Sequence, residues 1–228
     1  SMYPSVIMSL NISPETKLGK LTEWEPQDFI REVEKTYVIQ DDYENEVASM
    51  SYSDFKQYVT ENKISISANG VLYRNDKAGL IPAILSKWFD ERVEYRKLAK
   101  KYGNDGNTER YEYFDRRQLI QKIMLNSLYG VLGLSVFRFY DIDNAEATTL
   151  TGQSLIKFSR TITNHFYNEQ LGTDEDYVIY IDTDSIFASA LPLVKHRYPK
   201  ENVNSKPMMT KRILSIASEL QEYLNNSY

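Results

Sequence analysis

Tyr177-Val178-Ile179-Tyr180-Ile181-Asp182-Thr183-Asp184-Ser185-Ile186-Phe187 sets two carboxylates, two residues apart, between runs of apolar and aromatic residues. Residues of that kind favour strands, so 177–190 is expected to fold as strand, tight turn, strand. In extended backbone, positions i and i+2 point to the same side, which would put Asp182 and Asp184 together. Two like charges so placed repel. A divalent cation offsets that repulsion, and hard ions such as Mg²⁺ prefer carboxylate oxygen. An isolated Asp-x-Asp is more often a plain turn. The apolar strands that continue on both sides are what favour a site here.

Working outward, the 228-residue chain is 42% hydrophobic and 26% charged, the balance of a globular protein rather than a disordered one. It has no cysteine, which excludes disulfides and thiolate metal centres. No stretch has the length and apolarity of a membrane span, and the start of the sequence lacks signal-peptide design; the expected location is the cytoplasm. The net charge of −5 is uncommon for a generic DNA binder. Positive charge is nevertheless concentrated in the middle: Lys87 to Lys122 holds ten Lys/Arg against seven Asp/Glu. The 18 tyrosines suit both cores and ligand surfaces.

Along the chain, Tyr3-Pro4-Ser5-Val6-Ile7-Met8 reads as a short apolar run after a turn, and Asn11-Ile12-Ser13-Pro14-Glu15 as a second turn. Helices are expected near 27–34 and 53–61, with a strand at 37–39. Asn69-Gly70, flanked by alternating Ile64-Ser65-Ile66-Ser67 and Val71-Leu72-Tyr73, predicts a hairpin. Two long helices follow. The first, 82–102, has Ile81, Ile84, Leu85, Trp88 and Phe89 at helical spacing; the second, 108–132, has Leu119, Ile123 and Leu128 among its apolar positions. The short turn between them implies an antiparallel pair. A strand is expected at 136–140, a helix at 145–170 ended by Gly172, and a last helix at 209–224.

Three further groups could carry chemistry. Lys122, Asn126 and Tyr129 lie at i, i+4 and i+7, on one helix face, where a cation, an amide and a ring could meet a phosphate, a base or sugar edge and a base plane. Arg92 and Arg96 share a face on the preceding helix, with Lys100 one turn on; guanidinium groups match phosphate oxygens in bidentate fashion. Taken alone, the first group is more often a solvated helix with a half-buried tyrosine, and the second has the plain reading of a surface stripe of exposed ion pairs. Ser1-Met2-Tyr3-Pro4-Ser5 by itself is a turn.

Together, in this order and spacing, these groups resemble family B DNA polymerases, closest to the replicative type of tailed bacteriophages. Ser1 to Ser5 is similar to the end of the motif D-x-x-S-[LM]-Y-P-S, Lys122 to Gly130 to K-x-x-x-N-S-x-Y-G, and Tyr180 to Ser185 to Y-x-D-T-D-S. The resemblance spans nearly the whole chain, most thinly at 18–63 and 191–228. It implies an α+β fold: a polymerase palm, an antiparallel sheet backed by helices, interrupted by fingers made of two antiparallel helices. The implied segments are 1–80 palm, 81–134 fingers and 135–228 palm.

The resemblance also implies roles. Asp182 and Asp184 match the catalytic metal ligands, with two Mg²⁺ ions in the complete enzyme. Arg92, Arg96, Lys122 and Asn126 match groups that hold the incoming dNTP. Tyr3, beside Met2, matches the ring beneath the sugar that selects deoxyribose, and Tyr129 lies near the nascent base pair. Tyr180 and Thr183 match contacts to DNA at the primer end. The implied partners are primer-template DNA, dNTP, and N-terminal and thumb portions of a polymerase; no membrane is implied. Three departures stand out: Arg96 where phage relatives carry lysine, Ile181 where Y-G-D-T-D-S has glycine, and a motif aspartate expected three residues before Ser1. The last implies a fragment inactive alone, with a nucleotide-binding or assembly module of a split or truncated polymerase as the alternative.

Overall fold

The computed structural model describes residues 2–200 and 205–227; Ser1, part of the first motif, lies outside them. It is an α+β structure that divides into two compact units, Ser1–Gly152 and Gln153–Tyr228.

The first unit is organised on a five-stranded antiparallel sheet of order β3-β2-β1-β5-β4. Its strands are β1 (Lys17–Leu21), β2 (Tyr37–Gln40), β3 (Glu46–Met50), β4 (Ile64–Ile66) and β5 (Val71–Arg74). The β4–β5 hairpin forms where Asn69-Gly70 predicted it, with Gly70 at φ +83°. Strand β5 pairs on both sides, with β1 and β4, and its side chains alternate between two cores. Leu72 joins Leu21, Tyr37, Ile39 and Ile64 under α3 (Tyr52–Glu61), whose Tyr52 and Phe55 close that face. Tyr37 and Phe55 stack there with ring centroids 4.7 Å apart. Val71 and Tyr73 face the other way, into a core built by α1 (Met2–Leu10), α4 (Leu80–Asn104), α5 (Thr108–Leu132) and the start of α6 (Ile142–Leu171). A short α2 (Pro26–Ile30) joins β1 to β2.

Helices α4 and α5 run antiparallel. Gln121 donates to Glu91 at 2.5 Å near mid-length, and Tyr102 stacks on Phe114 near the connection, centroids 5.5 Å apart. Gly106, at φ +71°, makes the turn, and Asn107 caps α5 by accepting from the Arg110 N–H at 3.1 Å.

In the second unit, the end of α6, α7 (Leu191–Arg197) and α8 (Lys206–Ser227) share a core of Phe166, Tyr167, Leu193, Val194 and Ile216. The hairpin β6 (Val178–Asp182) and β7 (Ser185–Ala188) belongs to it. Gly172, at φ +67°, ends α6 with its N–H on the Asn168 carbonyl.

Several sequence expectations give way. Residues 2–10 are helix rather than a turn and an apolar run: Pro4 sits in the first turn, where it displaces no helix hydrogen bond, and Val6 and Ile7 bury into the core. Residues 136–140 form successive turns, with Phe137 N–H on Leu134 and Tyr140 N–H on Phe137. Their alternation is real, since Phe137 and Phe139 pack on the core, but they lie in no sheet. On α5, Leu119 and Ile123 are exposed, and Leu125 and Leu132 are the buried positions. Strands β1 and β3 and helix α7 add elements with weak local signals.

Strand β1 is tied to the start of α6 by charge. Lys17, with its side chain 8% exposed, contacts Asp42 at 2.6 Å, Asp143 at 3.0 Å and Asp141 at 3.2 Å, and Lys20 contacts Asp143 at 2.7 Å. Burial alone would raise the Asp143 carboxyl; the hydrogen bonds from Lys20 and Lys17 outweigh it and hold the group below its usual range. Burial would lower the Lys17 ammonium, and its carboxylates hold it above its usual value. A depressed carboxyl stabilises above its unfolded pKa of about 4, and an elevated ammonium stabilises below its unfolded pKa of about 10.5. The cluster is therefore at full strength between those limits and weakens as acid protonates Asp143.

Lys17→Met should cost about 1.5–3 kcal/mol at neutral pH, since it leaves half-buried Asp141 without its lysine and Asp143 with Lys20 alone. Urea titrations at pH 7 and pH 3 should show that deficit shrinking in acid; a deficit independent of pH would assign it to packing. Gly19, at φ +143°, sits where an added Cβ would meet the Gln40 carbonyl oxygen at 2.6 Å, whereas a Cβ at Gly106 meets nothing within 4 Å. Gly19→Ala should lower stability by about 2–4 kcal/mol and Gly106→Ala by about 1 kcal/mol. Equal losses in denaturant would show that backbone conformation alone sets both.

Candidate functional site

The first unit brings several of the expected residues into one neighbourhood. Tyr3 and Tyr129 meet with ring centroids 4.3 Å apart, which joins α1 to α5. Burial, with Tyr3 close by, pushes the Tyr129 phenol above its usual value. Met2 and Tyr3 also pass close to Gly152 on α6, where a Cβ would lie 3.1 Å from Met2 Cε and 3.5 Å from Tyr3 Cε1. The absent side chain is what leaves these two residues their place.

Lys122 and Asn126 are exposed on α5, and Tyr129 is half-buried. The contact between Glu91 and Gln121 sets Arg92 and Lys122, the next residue on each helix, at the same level of the α4–α5 pair. Arg92 is half-buried, and its Nε is enclosed without a hydrogen-bond partner. A buried guanidinium nitrogen in that state is costly and is a natural partner for an anionic oxygen. Arg96, one turn nearer the connection, is exposed.

The placement of α4 has a source that the sequence reading missed. Gly79, its N-cap, offers no side-chain acceptor. A remote loop supplies them: Asn11 Oδ1 accepts from the Gly79 N–H at 2.8 Å, Glu15 Oε1 from the Leu80 N–H at 2.5 Å and Ser13 Oγ from the Ile81 N–H at 3.4 Å. Asn11 Nδ2 donates in turn to the carbonyls of Arg74 and Lys77, at 2.6 and 2.9 Å. Burial works to raise the Glu15 carboxyl, and the Leu80 N–H and Ser13 hydroxyl hold it lower. A carboxylate at the positive end of a helix is favourable besides. The available signal was a long helix beginning at Gly79-Leu80-Ile81-Pro82 without its own Ser, Thr, Asp or Asn cap.

The second unit holds the two aspartates. Asp182 ends β6 and pairs with Ser185, so that Thr183-Asp184 is a two-residue turn. The extended-backbone argument for placing Asp182 and Asp184 on one side therefore does not apply, because Asp184 is in the turn and not in a strand. Both carboxylates are exposed, and the Thr183 hydroxyl donates to Asp182 Oδ1 at 3.1 Å. Tyr180 is 58% exposed and tilts toward Phe187 across the hairpin, centroids 5.7 Å apart. The base of the hairpin is anchored: Asn164 Oδ1 accepts from the Tyr177 and Val178 N–H groups, at 2.9 and 3.2 Å, and its Nδ2 donates to Asp176 at 2.8 Å.

Asp182 and Asp184 offer the hard oxygen donors that suit Mg²⁺, which is commonly bound by one or two carboxylates together with substrate phosphates. Among the described residues, no group of three or more His, Cys, Asp or Glu is gathered to hold a metal by itself. The pair fits the ion in donor type and is short of a complete protein cage. No helix among the described residues is long and apolar enough to cross a membrane.

Comparison with known proteins draws the arrangement together. The chain is 28% identical to the DNA-directed DNA polymerase of Escherichia phage RB69, over 83% of this chain and 24% of the relative. It is 27% identical to the DNA-directed DNA polymerase of Enterobacteria phage T4, over 99% of this chain and 29% of the relative. It thus spans about a quarter of the length of these relatives. The structure resembles that of the family B DNA polymerase from the hyperthermophilic archaeon Pyrobaculum calidifontis, with a TM-score of 0.52 and 26% identity, covering 87% of this chain and 21% of that one. Residues 1–196 match the model of DNA polymerase family B, a match that takes in α1, the α4–α5 pair and the Asp182–Asp184 hairpin, and the chain belongs to that family.

Proposed function

We propose that the chain is the palm and fingers part of a DNA-directed DNA polymerase, joining dNTPs to a primer 3′-hydroxyl under direction of a template. The palm would comprise 1–80 and 135–228, and the fingers 81–134. The observation that carries the reading is the Tyr3–Tyr129 contact. It holds the first motif against the helix that presents Lys122 and Asn126, beside a helix whose Arg92 has an enclosed, unpartnered nitrogen.

The roles follow from chemistry. Lys122, Arg92 and Arg96 would bind the triphosphate oxygens of the incoming nucleotide. Phosphoryl transfer needs positioning and neutralisation of charge more than covalent help. Asn126 would add a polar contact on the same face. The Tyr3 ring, with Met2 beside it, would lie under the sugar and leave no room for a 2′-hydroxyl. Tyr129 would sit near the nascent base pair, and Tyr180 and Thr183 would contact the primer strand. Asp182 and Asp184 would hold Mg²⁺, two ions in the complete enzyme, which when bound lowers the pKa of the attacking hydroxyl and neutralises the leaving pyrophosphate.

A second reading, a nucleotide-binding or assembly module without turnover, is favoured by the absence of a three-carboxylate group among the described residues. The two readings separate when the chain replaces the matching segment of the phage RB69 polymerase. Template-directed primer extension is expected, falling on the order of 10²–10³-fold in Asp184→Asn and about 10²-fold in kcat/KM in Lys122→Ala. A folded, DNA-binding chimera that incorporates no nucleotide, while the chain alone binds dNTP, would establish the module instead.

A further inference from the structure

The distal end of the α4–α5 pair carries a continuous aromatic and cationic surface that the nucleotide site does not use. Its links are all short. Tyr102 stacks on Phe114 at 5.5 Å, and Phe114 meets Tyr113 edge-on at 5.0 Å and Tyr95 at 6.2 Å. The Arg117 guanidinium lies 5.3 Å from the Tyr113 ring and 5.8 Å from the Tyr95 ring, and that of Arg110 lies 5.1 Å from the Tyr102 ring. The six side chains thus bridge both helices. Tyr95 and Tyr102 are two turns apart, about 10 Å along α4.

This surface is open and positive. Tyr113 is 52% exposed, and neighbouring Tyr111 is 41% exposed. A hollow of about 410 Å³ beside Tyr113 is lined by Arg116, Arg117 and Ile120, together with Glu109 and Glu112; Glu112 is paired with Arg116 at 3.0 Å. Between residues 97 and 117 the chain has six Lys/Arg against four Asp/Glu, although its net charge is −5. Stapling of the helix tip explains why arginines lie over tyrosines. It does not explain why so much ring surface stays in water, nor why an acidic chain gathers its cations here.

We propose that this surface binds single-stranded DNA through stacking of unpaired bases on its exposed rings and pairing of phosphates with its arginines. Single strands are held in this way where a positive surface is interleaved with aromatic faces, each of which accepts any base. A duplex hides its base faces, and an acidic polypeptide has none, so neither would use the rings. The site is separate from the residues assigned to the nucleotide, and single-strand binding does not depend on turnover.

Fluorescence polarisation of labelled oligothymidylate with the full chain tests this at low ionic strength. The parent should bind, Tyr113→Phe should bind as the parent does, and Tyr113→Ala should weaken binding roughly five- to a hundredfold. Arg117→Ala should also weaken it, with a salt dependence shallower by about one unit of slope. Circular dichroism checks that each variant is folded. The dNTP affinity of Tyr113→Ala should equal the parent's, whereas Arg92→Ala should lose dNTP and keep oligothymidylate, which separates this surface from the nucleotide site. The proposal is overturned if the parent does not bind, if Tyr113→Ala binds as tightly as the parent, or if Tyr113→Phe is as weak as Tyr113→Ala. It is equally overturned if polyglutamate displaces the probe as well as unlabelled oligothymidylate does, because the surface would then take acidic chains at large.

Discussion

Strand β5 is buried on both faces, and the first unit is arranged around that fact. Val71 and Tyr73 face one core and Leu72 the other. A strand so placed must find ladder partners on both sides, since an unpaired backbone group there would be stranded away from water; β1 and β4 supply them. Tyr73 goes further. Its hydroxyl donates to Asn144 Oδ1 at 2.7 Å, and burial raises the phenol well above its usual value, so it remains a neutral donor. That bond and the Lys17 cluster fix the first turn of α6 to the sheet from two directions.

The helix pair inherits its position from this core. The buried residues of α5, Leu125 and Leu132, lie toward its C-terminal end, and those of α4 include Ile81, Pro82 and Leu85 at its start. The pair is therefore rooted at one end, and each helix, 25 residues long, extends about 37 Å. The root is where Asn11, Ser13 and Glu15 satisfy the first N–H groups of α4. Such a clasp resists displacement of the root while leaving the distal turns held mainly by contacts between the two helices. Arg92 and Lys122 lie between those regimes, at the level where Glu91 and Gln121 join the helices.

What was legible in the sequence follows the range of the forces involved. Local signals were sufficient for the Asn69-Gly70 hairpin, for the two long helices with their short connection, and for the shared face of Lys122, Asn126 and Tyr129. Elements whose conformation is imposed from a distance were not. Lys17-Leu18-Gly19-Lys20-Leu21 has two lysines and a glycine and becomes a strand because β2 and β5 flank it. Phe137 and Phe139 alternate as a strand would, yet form turns, because the core takes their rings without any ladder. The Tyr3–Tyr129 contact joins segments far apart in the chain, and nothing near either residue announces it. Resemblance to a family singled out both residues but not their contact, which only the fold brings about.

The hairpin tip bears on function through its cost. Thr183 has φ +43°, a left-handed conformation in which a β-branched residue is a genuine outlier and which disfavours side chains by about 1–2 kcal/mol. A two-residue hairpin turn shaped by stability alone would take Asn-Gly or glycine at the positive-φ position; the longer β4–β5 connection of this chain places Gly70 at its own positive φ. Packing does not explain the choice, because Asp182, Thr183 and Asp184 are all exposed. Local strain retained without any gain in packing is characteristic of residues kept for what they bind. Strain alone does not single out this turn, since Asn11, Glu23, Glu32, Glu44 and Lys63 also have positive φ; it joins the family match over residues 1–196 as support for the proposed role of Asp182 and Asp184.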